Sequence, residues 1–584
     1  MRDRREYMKE YKRRYRAAHS IEKHDGDAFL SLSCISVEDA DKRGGGLIDA
    51  WALVWDDLTE MTGADLTSLF TAFKAVKRKN TVYVSNLKVW ARFLVKYAAD
   101  NGFKVSDDTT IKNTYRLNVN GVGDWVGFEI NNGGERTFVK NFSEIIRTPL
   151  DKAFNDFCDG NMKEYPKGLE PLMTARAMRL IMRNFKSGLL QLSLGVPFSA
   201  NTISGYAQKL CEIIAGKGCP EYGKQFFKSV FPSISREIAD ELRAAKVYRS
   251  GWNYLNPKAL EYRGAGYVLD VHSFYPSIYA RFLPYGQPEK KKFVADFDPD
   301  DKMFYRIFHI QELCADLKVG GVPTIQIISD PDAGTKYLTH INYTGGFPFF
   351  LDINDFESLC NNYDIKFLTI DYYYQFKAKQ IDFLTTYAHR LYNLKSRAGG
   401  SAIGAAAKYL LNSLSGRFGI NPYRNEVDII KNKSYAATKT NYVGELGYLP
   451  AAIFINSMGR RIISDLAREN KDIFLYSDTD SIFIKGDEIP PNLAKLIGDN
   501  LGDFGVKRFT DCKFFGLKCY GYKTLFDGWK WTVSGASAQM LKDLDGAAAY
   551  NGQKLKGGIV PKVYPDGTIA FKEREFTLAR NMIF

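Results

Sequence analysis

GYVLDVHSFYPSIYA, residues 266–280, is an apolar strand that runs into Asp270 and continues through Ser273, Tyr275 and Pro276. The carboxylate stands where the strand ends. An aspartate after a strand is often no more than the cap of the next helix, and this stretch alone favours that interpretation.

A second stretch, IFLYSDTDSIFIK (residues 473–485), places two acids between two apolar strands. The pattern predicts a tight hairpin that carries Asp478 and Asp480. If the backbone stays extended, the strand period of two puts both carboxylates on one side. Asp and Ser are also ordinary turn residues. Two like charges between apolar strands nevertheless repel unless a cation neutralises them, which favours a metal site.

The third stretch, AAAKYLLNSLSGRFG (residues 405–419), has the pattern of a helix. Lys408, Asn412 and Ser415 are spaced four and three residues apart and therefore share a face. A solvated lysine explains this helix if it stands alone. Beside acidic strands, the same cation could bind a triphosphate.

Together the three stretches supply what nucleotidyl transfer needs. Carboxylates are oxygen ligands for two Mg²⁺ ions, which activate a 3′-hydroxyl and stabilise the leaving pyrophosphate, and lysines bind the incoming phosphates. The combination is far more specific than any of its parts.

The composition agrees with a large protein that binds a polyanion. A chain of 584 residues is long enough for two or more domains. Its 80 Lys and Arg exceed its 67 Asp and Glu, giving a net charge of +13, which favours a partner such as nucleic acid. Ribosomal and membrane-surface proteins share this charge balance, so charge alone leaves the partner open.

Other features of the composition exclude several classes of protein. The eight cysteines and six histidines have no zinc-binding spacing, which is typical of a reduced, intracellular protein. No apolar run approaches the roughly 20 residues of a membrane helix, so we expect neither secretion nor a membrane anchor. Residues 1–24 are rich in Arg, Lys and Tyr and fit either a solvated helix or a contact with DNA or a partner.

Along the chain, short apolar strands alternate with helical patterns, which predicts an α/β protein of several domains. Helical periodicity dominates residues 168–245, and we place a domain boundary near residue 215. The long helical pattern after residue 380 is expected to break at Gly399-Gly400.

The three stretches resemble, in order, the polymerase motifs of family B DNA polymerases: DVHSFYP, KYLLNSLSG and YSDTDS. LKCYGYK (517–523) is similar to the family's K-x-Y motif, which contacts the primer end. YRSG (248–251) resembles the Y-x-G-G-type motif that links the exonuclease and polymerase modules, with Ser250 in place of the first glycine.

The segments between the motifs resemble the protein-primed branch, the polymerases of phages with linear genomes capped by a terminal protein. RFLPYGQPE (281–289) follows the first motif as it does in that branch. Two segments lie where the branch has its characteristic insertions, residues 283–385 and 420–455. The resemblance implies that the first contacts the terminal protein and that the second encircles the template.

The fold implied by the resemblance is α/β and multidomain, a right-hand polymerase preceded by an RNase H-like exonuclease-type domain. The expected segments are a basic extension at 1–28, an exonuclease-like domain at 29–215 and a polymerase domain at 216–584. Within the last of these, the palm carries the motifs at 270 and 478, the fingers helix spans 386–419 and the thumb spans 525–584.

The resemblance also implies roles for individual residues. Asp270, Asp478 and Asp480 are the expected catalytic acids, with Asp270, Asp480 and the Val271 carbonyl as ligands of two Mg²⁺ ions or alternatively Mn²⁺. Tyr275 is expected to lie under the sugar and exclude a 2′-hydroxyl. The expected nucleotide contacts are Lys408, Asn412, Lys395 and Arg397, and the expected primer and template contacts are Lys518, Tyr520, Tyr248, Arg249 and Gly251.

The chain departs from the family at Ser415, where the helix motif has tyrosine, and more extensively in the exonuclease-like domain. The acids of the first exonuclease motif fall on Ile35 and Val37 in SCISVED (33–39). The second motif keeps Asn86 but has Trp90 for its aspartate in SNLKVWARF (85–93). The third falls on Phe185 in LIMRNFKSG (180–188). Because metal-dependent hydrolysis needs these carboxylates, the sequence predicts a domain without proofreading activity.

The function predicted from the sequence is template-directed DNA synthesis from dNTPs by two-metal phosphoryl transfer. Initiation is expected on a terminal-protein hydroxyl, during replication of a linear viral genome in the cytoplasm of a bacterial host. The polymerase is expected to be a monomer or a heterodimer with the terminal protein, with no membrane partner. Two alternatives remain: a family B polymerase that extends nucleic-acid primers, and a non-catalytic DNA-binding protein of polymerase shape.

Overall fold

A computed structural model of the chain describes residues 23–578. Excluded within that range are residues 25, 35–47, 78–79, 86, 107–110, 120–124, 134, 159–170, 294–302, 329, 331–335, 431–433, 443, 445–446, 537–539, 542–543, 547 and 564–568. Most of the predicted basic extension, residues 1–22, lies outside the described part.

The elements are numbered along the described residues. The strands are β1 (Ala28–Cys34), β2 (Ile48–Trp55), β3 (Glu60–Gly63), β4 (Thr81–Val84), β5 (Lys104–Val105), β6 (Thr114–Val119), β7 (Trp125–Asn132), β8 (Glu135–Asn141), β9 (Asn253–Leu255), β10 (Gly266–Val271), β11 (Leu283–Lys292), β12 (Phe304–Leu317), β13 (His340–Tyr343), β14 (Phe350–Asp352), β15 (Tyr363–Lys379), β16 (Tyr423–Ile430), β17 (Ser434–Tyr442), β18 (Phe474–Asp478), β19 (Ser481–Lys485), β20 (Phe504–Phe509), β21 (Asp511–Gly516), β22 (Cys519–Thr524), β23 (Gly528–Val533), β24 (Lys554–Val563) and β25 (Ile569–Thr577).

The helices are α1 (Leu66–Ala72), α2 (Leu87–Asp100), α3 (Leu150–Phe157), α4 (Pro171–Leu192), α5 (Ile203–Ala215), α6 (Pro220–Val230), α7 (Arg236–Ala244), α8 (Phe274–Tyr279), α9 (Ile353–Asn362), α10 (Asp382–Arg397), α11 (Ala402–Phe418), α12 (Leu449–Glu469) and α13 (Pro491–Ala494). None of these helices combines the length and apolarity that a membrane crossing needs.

The sheet that carries the first two acidic motifs is antiparallel, in the order β20-β10-β19-β18-β9. Strand β10 pairs with β19 on one side and with the edge strand β20 on the other. Leu269, Ile482 and Ile484 are fully buried, so apolar burial holds these strands together and brings their polar ends to one edge. The predicted hairpin around residue 478 is confirmed as β18 and β19.

The predicted break of the long helix is also found. Helix α10 ends at Arg397 and α11 begins at Ala402, and Gly400 between them has a φ of 83°. This backbone region is accessible to glycine at little cost, which explains why the chain turns there. Ser401 caps α11 by accepting a hydrogen bond from the Gly404 amide.

Of the two segments predicted to be insertions, the first forms a sheet of its own and the second extends the N-terminal sheet. Residues 283–379 supply the sheet β11-β15-β12-β13, with β14 paired to β12. β16 and β17 form an antiparallel hairpin, and β16 also pairs with β6 of the N-terminal sheet. The second segment therefore joins the exonuclease-like part of the chain to the polymerase motifs.

The N-terminal sheet places β1 between β2 and β4, with α4 packed across β1 and β2. One buried core extends from α4 through α5 to α10, α11 and α12. Gly188 of α4 lies so close to α11 that an added Cβ would be 3.0 Å from the Ala402 carbonyl oxygen. Since this core crosses residue 215, the boundary placed there stays a prediction.

Candidate active site

Asp270 lies at the end of β10, where it pairs with Ser481 of β19. The cap of the following helix α8 is Ser273, whose side chain makes no capping hydrogen bond. The helix-cap interpretation of Asp270 is therefore wrong. Its side chain is exposed at the edge of the sheet instead, in a position to meet a ligand.

The turn between β18 and β19 sends its two acids in different directions. Thr479 has a φ of 67°, and its amide donates to the Trp252 carbonyl at 3.1 Å. Because the backbone is left-handed here, the assumption of an extended chain fails at this residue. The Asp478 carboxylate accepts hydrogen bonds from the Lys518 ammonium and from the Tyr520 hydroxyl, the latter at 3.1 Å. Asp480 faces the same cavity as Asp270.

The two facing carboxylates create the electrostatic conditions for a cation. Burial raises the pKa of Asp480 to about 7, and the neighbouring Asp270 charge contributes to the rise. Although Asp270 is exposed at the mouth of the cavity, the protein atoms around its carboxyl displace water and raise its pKa, with a smaller contribution from Asp478. A divalent ion would offset the free-energy cost of ionising both carboxyls. Carboxylate oxygens are also the ligands that Mg²⁺ prefers. The donor set therefore fits the predicted metals.

A cavity of about 320 Å³ unites residues from the strand that carries Asp270, the hairpin that carries Asp480, and helices α10 and α11. It is lined by Asp270, Val271, His272, Ser273, Phe274, Tyr275, Pro276, Lys395, Asn412 and Asp480. The chain brings these residues together from β10, α8, α10, α11 and the hairpin turn. This cavity is the candidate active site.

Lys395 is one of the predicted nucleotide contacts that line the cavity. Its ammonium donates to the Ser273 hydroxyl at 3.0 Å. Burial lowers its pKa, and the nearby Lys408 charge lowers it further. Lys408 itself is exposed and lies 3.9 Å from Asp156 of α3. Arg397 is exposed on the last turn of α10 and does not line the cavity.

Tyr275 forms one wall of the cavity. An added Cβ on Gly251 would lie 3.0 Å from its hydroxyl, and one on Gly459 would lie 3.4 Å from its ring. Burial raises the pKa of Tyr275 to about 12, so its hydroxyl stays protonated. The ring is therefore held between two glycines that let neighbouring backbone approach it closely.

The YRSG segment contacts neighbouring protein residues, whereas the sequence predicts contacts with primer and template. The Tyr248 ring packs against Gly419, whose added Cβ would lie 2.5 Å from it. Arg249 is buried and donates to the Asp355 carboxylate and to the Gln326 carbonyl. A contact between Arg249 and DNA would require these bonds to open, so its predicted role remains untested.

Sequence reasoning missed Arg460 of α12. Its guanidinium donates to the carbonyls of Arg249 and Ser250 at 3.1 and 3.0 Å and to both carboxylate oxygens of Asp355. It therefore fixes the backbone of the YRSG segment against the first insertion. The helix carries other charged residues, among them the adjacent Arg461 and Asp465, so no sequence signal distinguished Arg460 as the buried one.

Ser415, the departure in the helix motif, is buried on α11. Its hydroxyl donates to the Asn412 carbonyl at 3.4 Å. It thus completes a local bond within the helix, while Asn412 one turn earlier faces the cavity.

In the exonuclease-like domain, Ile35, Val37 and Asn86 lie outside the described residues. Trp90 is half-buried on α2, with its ring 6.0 Å from that of Phe93. Phe185 is buried on α4 between the rings of Phe157 and Tyr206.

The residue after Phe185, Lys186, forms an ion pair with Asp27 at 3.0 Å, just before β1 begins. The positions of the first exonuclease motif, Ile35 and Val37, lie outside the described residues, so the assignment of Phe185 to the third motif stays a prediction.

Comparison with known proteins places the chain in a family. The family model described as DNA polymerase type B, organellar and viral, matches residues 180–496, which include every polymerase motif up to the hairpin. The chain belongs to this family. DNA-directed DNA polymerase activity follows from that membership, and the predicted resemblance is confirmed.

The polymerase has relatives in bacteriophages. It is 29% identical to the DNA polymerases of Bacillus phages PZA and phi29 over 492 residues, which cover 76% of this chain and 79% and 78% of those proteins. It is 28% identical to the DNA polymerase of Streptococcus phage Cp-1 over 277 residues, covering 45% of this chain and 47% of that one.

Solved structures confirm the predicted fold class. Phi29 DNA polymerase complexed with primer-template DNA and incoming nucleotide substrates superposes with a TM-score of 0.78. The superposition covers 94% of this chain and all of that chain at 24% identity. The single-stranded DNA complex of the same polymerase gives 0.77 with the same coverage.

Proposed function

We propose that this polymerase adds dNTPs to a 3′-hydroxyl by two-metal phosphoryl transfer in the cavity that holds Asp270 and Asp480. The observation that carries the proposal is that two facing carboxylates with raised pKa values share this cavity with Lys395 and Asn412. Asp270, Asp480 and the Val271 carbonyl would hold the Mg²⁺ ions, with Mn²⁺ as an alternative. When bound, these ions activate the attacking hydroxyl and stabilise the charge of the leaving group.

The side chains in and around the cavity have different proposed roles, which depend on their positions. Lys395, fixed by Ser273, binds the incoming phosphates together with Asn412, while Lys408 and Arg397 contribute charge from outside the cavity. The Tyr275 ring lies under the sugar, where it would collide with a 2′-hydroxyl. Lys518 and Tyr520 donate hydrogen bonds to the Asp478 carboxylate. The same two side chains would contact the primer terminus.

Primer extension on a primed template with Mg²⁺ and dNTPs tests the chemistry. Asp480→Asn keeps the side-chain size but removes the charge, so extension should fall by at least 100-fold. Asp487→Asn is the matched control, because Asp487 is exposed and pairs with Arg508 away from the cavity. Equal extension by the wild type and Asp480→Asn would rule out this site.

Initiation on a terminal protein is the second part of the proposal. It is supported by the resemblance to the protein-primed branch and by the separate sheet that residues 283–379 form between the first two motifs. A Ser, Thr or Tyr hydroxyl of the terminal protein would accept the first nucleotide, and replication of a linear viral genome would follow in the bacterial host cytoplasm.

Labelled dNTP tests protein priming directly. Incubation of the polymerase with its cognate terminal protein should transfer label covalently to that partner. If DNA primers extend normally and no adduct forms, the enzyme is a nucleic-acid-primed polymerase.

The third part of the proposal is that the enzyme lacks proofreading. Trp90 puts an apolar ring where the family has an aspartate, and apolar side chains cannot ligate Mg²⁺. Shortening of a labelled single-stranded 3′ end, followed in parallel with a proofreading polymerase, tests this part. Robust metal-dependent trimming would show that carboxylates elsewhere complete the site.

A further inference from the structure

Two large apolar side chains are exposed at the tip of the hairpin that β22 and β23 form. Leu525 is 68% exposed and Phe526 is 95% exposed. The Asp527 amide closes this turn by donating to the Thr524 hydroxyl at 3.0 Å. Turns are ordinarily built from small and polar residues, and adjacent exposed apolar side chains indicate an interaction site. Neither the sequence motifs nor the proposed mechanism uses this tip.

The hairpin packs on the face of the sheet that carries Asp270. In the pairings of β10, Phe483 of β19 and Lys507 of β20 both lie opposite Val268. Opposed residues of paired strands point to the same face, and so do residues two apart on one strand. Asp270, Phe483 and Lys507 therefore share a face. The Tyr522 ring of β22 lies on this face, 5.7 Å from the Phe483 ring.

The proposed phosphate site determines on which side of the acids the primer lies. Lys395 bonds Ser273, which follows the carboxyl end of β10, on the opposite side of Asp270 from Val268. Phosphoryl transfer places the attacking and leaving oxygens roughly in line. Because the pyrophosphate leaves toward Lys395, the primer approaches from the direction of Val268. Lys507 lies opposite Val268, about 7 Å behind Asp270 in that direction.

The same hairpin begins at the proposed primer-terminus residues. Lys518 and Tyr520 bond the Asp478 carboxylate, and β22 runs from there toward the tip. From Tyr520 to Phe526 the chain spans at most about 20 Å, which corresponds to about six base pairs of duplex. The tip is therefore within reach of the primer strand close behind its 3′ end.

The charge near the tip favours a polyanion. Lys507 is exposed, and its ammonium forms no salt bridge within the described part of the chain. Displaced water raises the pKa of Asp270, and the Lys507 charge offsets part of that rise. The Lys530 hydrogen bond lowers the pKa of Asp527, with a smaller contribution from Lys507. The Lys507 ammonium thus lies near both the acids and the tip. A nucleic-acid strand supplies phosphates for this cation and apolar sugar surface for the tip.

We propose that Lys507 and Phe526 hold the primer strand behind its 3′ end. This inference rests on the proposed function. The Lys507 ammonium binds a backbone phosphate, and the Phe526 ring, with Leu525 beside it, packs against the neighbouring deoxyribose in the minor groove. Both contacts are independent of base sequence, as a polymerase requires, and they keep the primer on the enzyme between successive additions.

Equilibrium binding of primer-template without nucleotide, at several salt concentrations, tests the phosphate contact. Lys507→Gln should weaken binding about fivefold and reduce the slope of log affinity against log salt by about one, because one phosphate fewer is neutralised. Arg508→Gln should leave the slope unchanged. Arg508 is the matched control because it points to the opposite face of β20, where it pairs with Asp487 at 2.7 Å.

The same assay tests the apolar contact. Phe526→Ala should weaken binding about fivefold, as expected for loss of a buried ring, and should keep the salt slope of the wild type. Phe526→Trp should restore the affinity. Tyr222→Ala, which removes an exposed ring from α6, should not change it. Because these measurements need no turnover, a failure of the proposed chemistry would leave their results unaffected.

Neutral methylphosphonates, placed one at a time along the primer, locate the phosphate contact. One position within about six nucleotides of the 3′ end should weaken binding of the wild type and have no effect on Lys507→Gln. Equal effects on both proteins at every position would overturn the assignment of Lys507. Unchanged primer-template affinity in Phe526→Ala, with weaker binding of a terminal protein, would overturn the assignment of Phe526 and identify the tip as a protein-docking surface.

Discussion

The Val271 amide donates a hydrogen bond to the Asp480 carbonyl at 2.9 Å. This bond ties the last residue of β10 to the turn that follows β18, directly beside the two carboxylates of the candidate site. The distance between Asp270 and Asp480 is thus set by backbone pairing and not by side-chain contacts. Such a scaffold holds the acids together even though they repel each other.

Replacement of Asp480 by asparagine should stabilise the protein when no metal is bound. The pKa of Asp480, raised to about 7, means that the folded state resists ionisation of this carboxyl. The destabilisation is fully present above pH 7 and disappears as the pH falls towards the ordinary aspartate range. Thermal unfolding in EDTA at pH 8 should show a gain of about 2 kcal/mol, taken conservatively from 1.4 kcal/mol per pKa unit. This gain of the variant over the wild type should shrink at pH 4.5. An equal gain at both pH values would contradict the burial assigned to Asp480.

The two fingers lysines should differ in their effects on nucleotide binding. Lys395 lines the cavity and bonds Ser273, whereas Lys408 is exposed near Asp156. Lys395→Ala should therefore raise the KM for dNTP at least tenfold, and Lys408→Ala should raise it less. Steady-state extension at varied dNTP measures both. A larger effect at Lys408 would mean that the fingers move it into the cavity when substrate binds.

Gly251→Ala should reduce both stability and polymerisation. The added Cβ would lie 2.6 Å from the Thr479 methyl group and 3.0 Å from the Tyr275 hydroxyl, so the turn or the ring must shift. Overpacking of this kind typically costs about 1–3 kcal/mol. Gly416→Ala is the control for stability, since its Cβ meets nothing within 4 Å. Denaturant unfolding and primer extension provide the two readouts, and an unchanged Gly251→Ala enzyme would show that Tyr275 is held less tightly.

The sequence predicted which residues meet in the candidate site better than it predicted their geometry. Asp270 and Asp480 could be recognised because the three stretches together supply what nucleotidyl transfer needs. The different directions of Asp478 and Asp480 depend on the positive φ of Thr479, which no local pattern indicates. Arg460 acquires its position only when α12 packs against distant segments, so its role was not predictable from spacing.

Helix α7 should connect the two insertions functionally. The Glu241 carboxylate accepts hydrogen bonds from Tyr372, at 2.6 Å, and from Tyr374 of β15. Asp240, the adjacent residue, accepts one at 2.7 Å from Tyr423 at the base of the β16–β17 hairpin. One short helix therefore holds the sheet of the first insertion and the hairpin of the second.

Glu241→Ala should loosen the first insertion and leave the second in place. The expected result is a several-fold drop in nucleotide transfer to a terminal protein, while extension of a DNA primer changes by less than about twofold. Glu237 is an exposed acid on the same helix, and Glu237→Ala should change neither activity. The ratio of initiation to extension is the quantity to measure, because a general folding defect lowers both rates and leaves that ratio unchanged. A ratio equal to that of the wild type would mean that the tyrosine contacts do not position the insertion for priming.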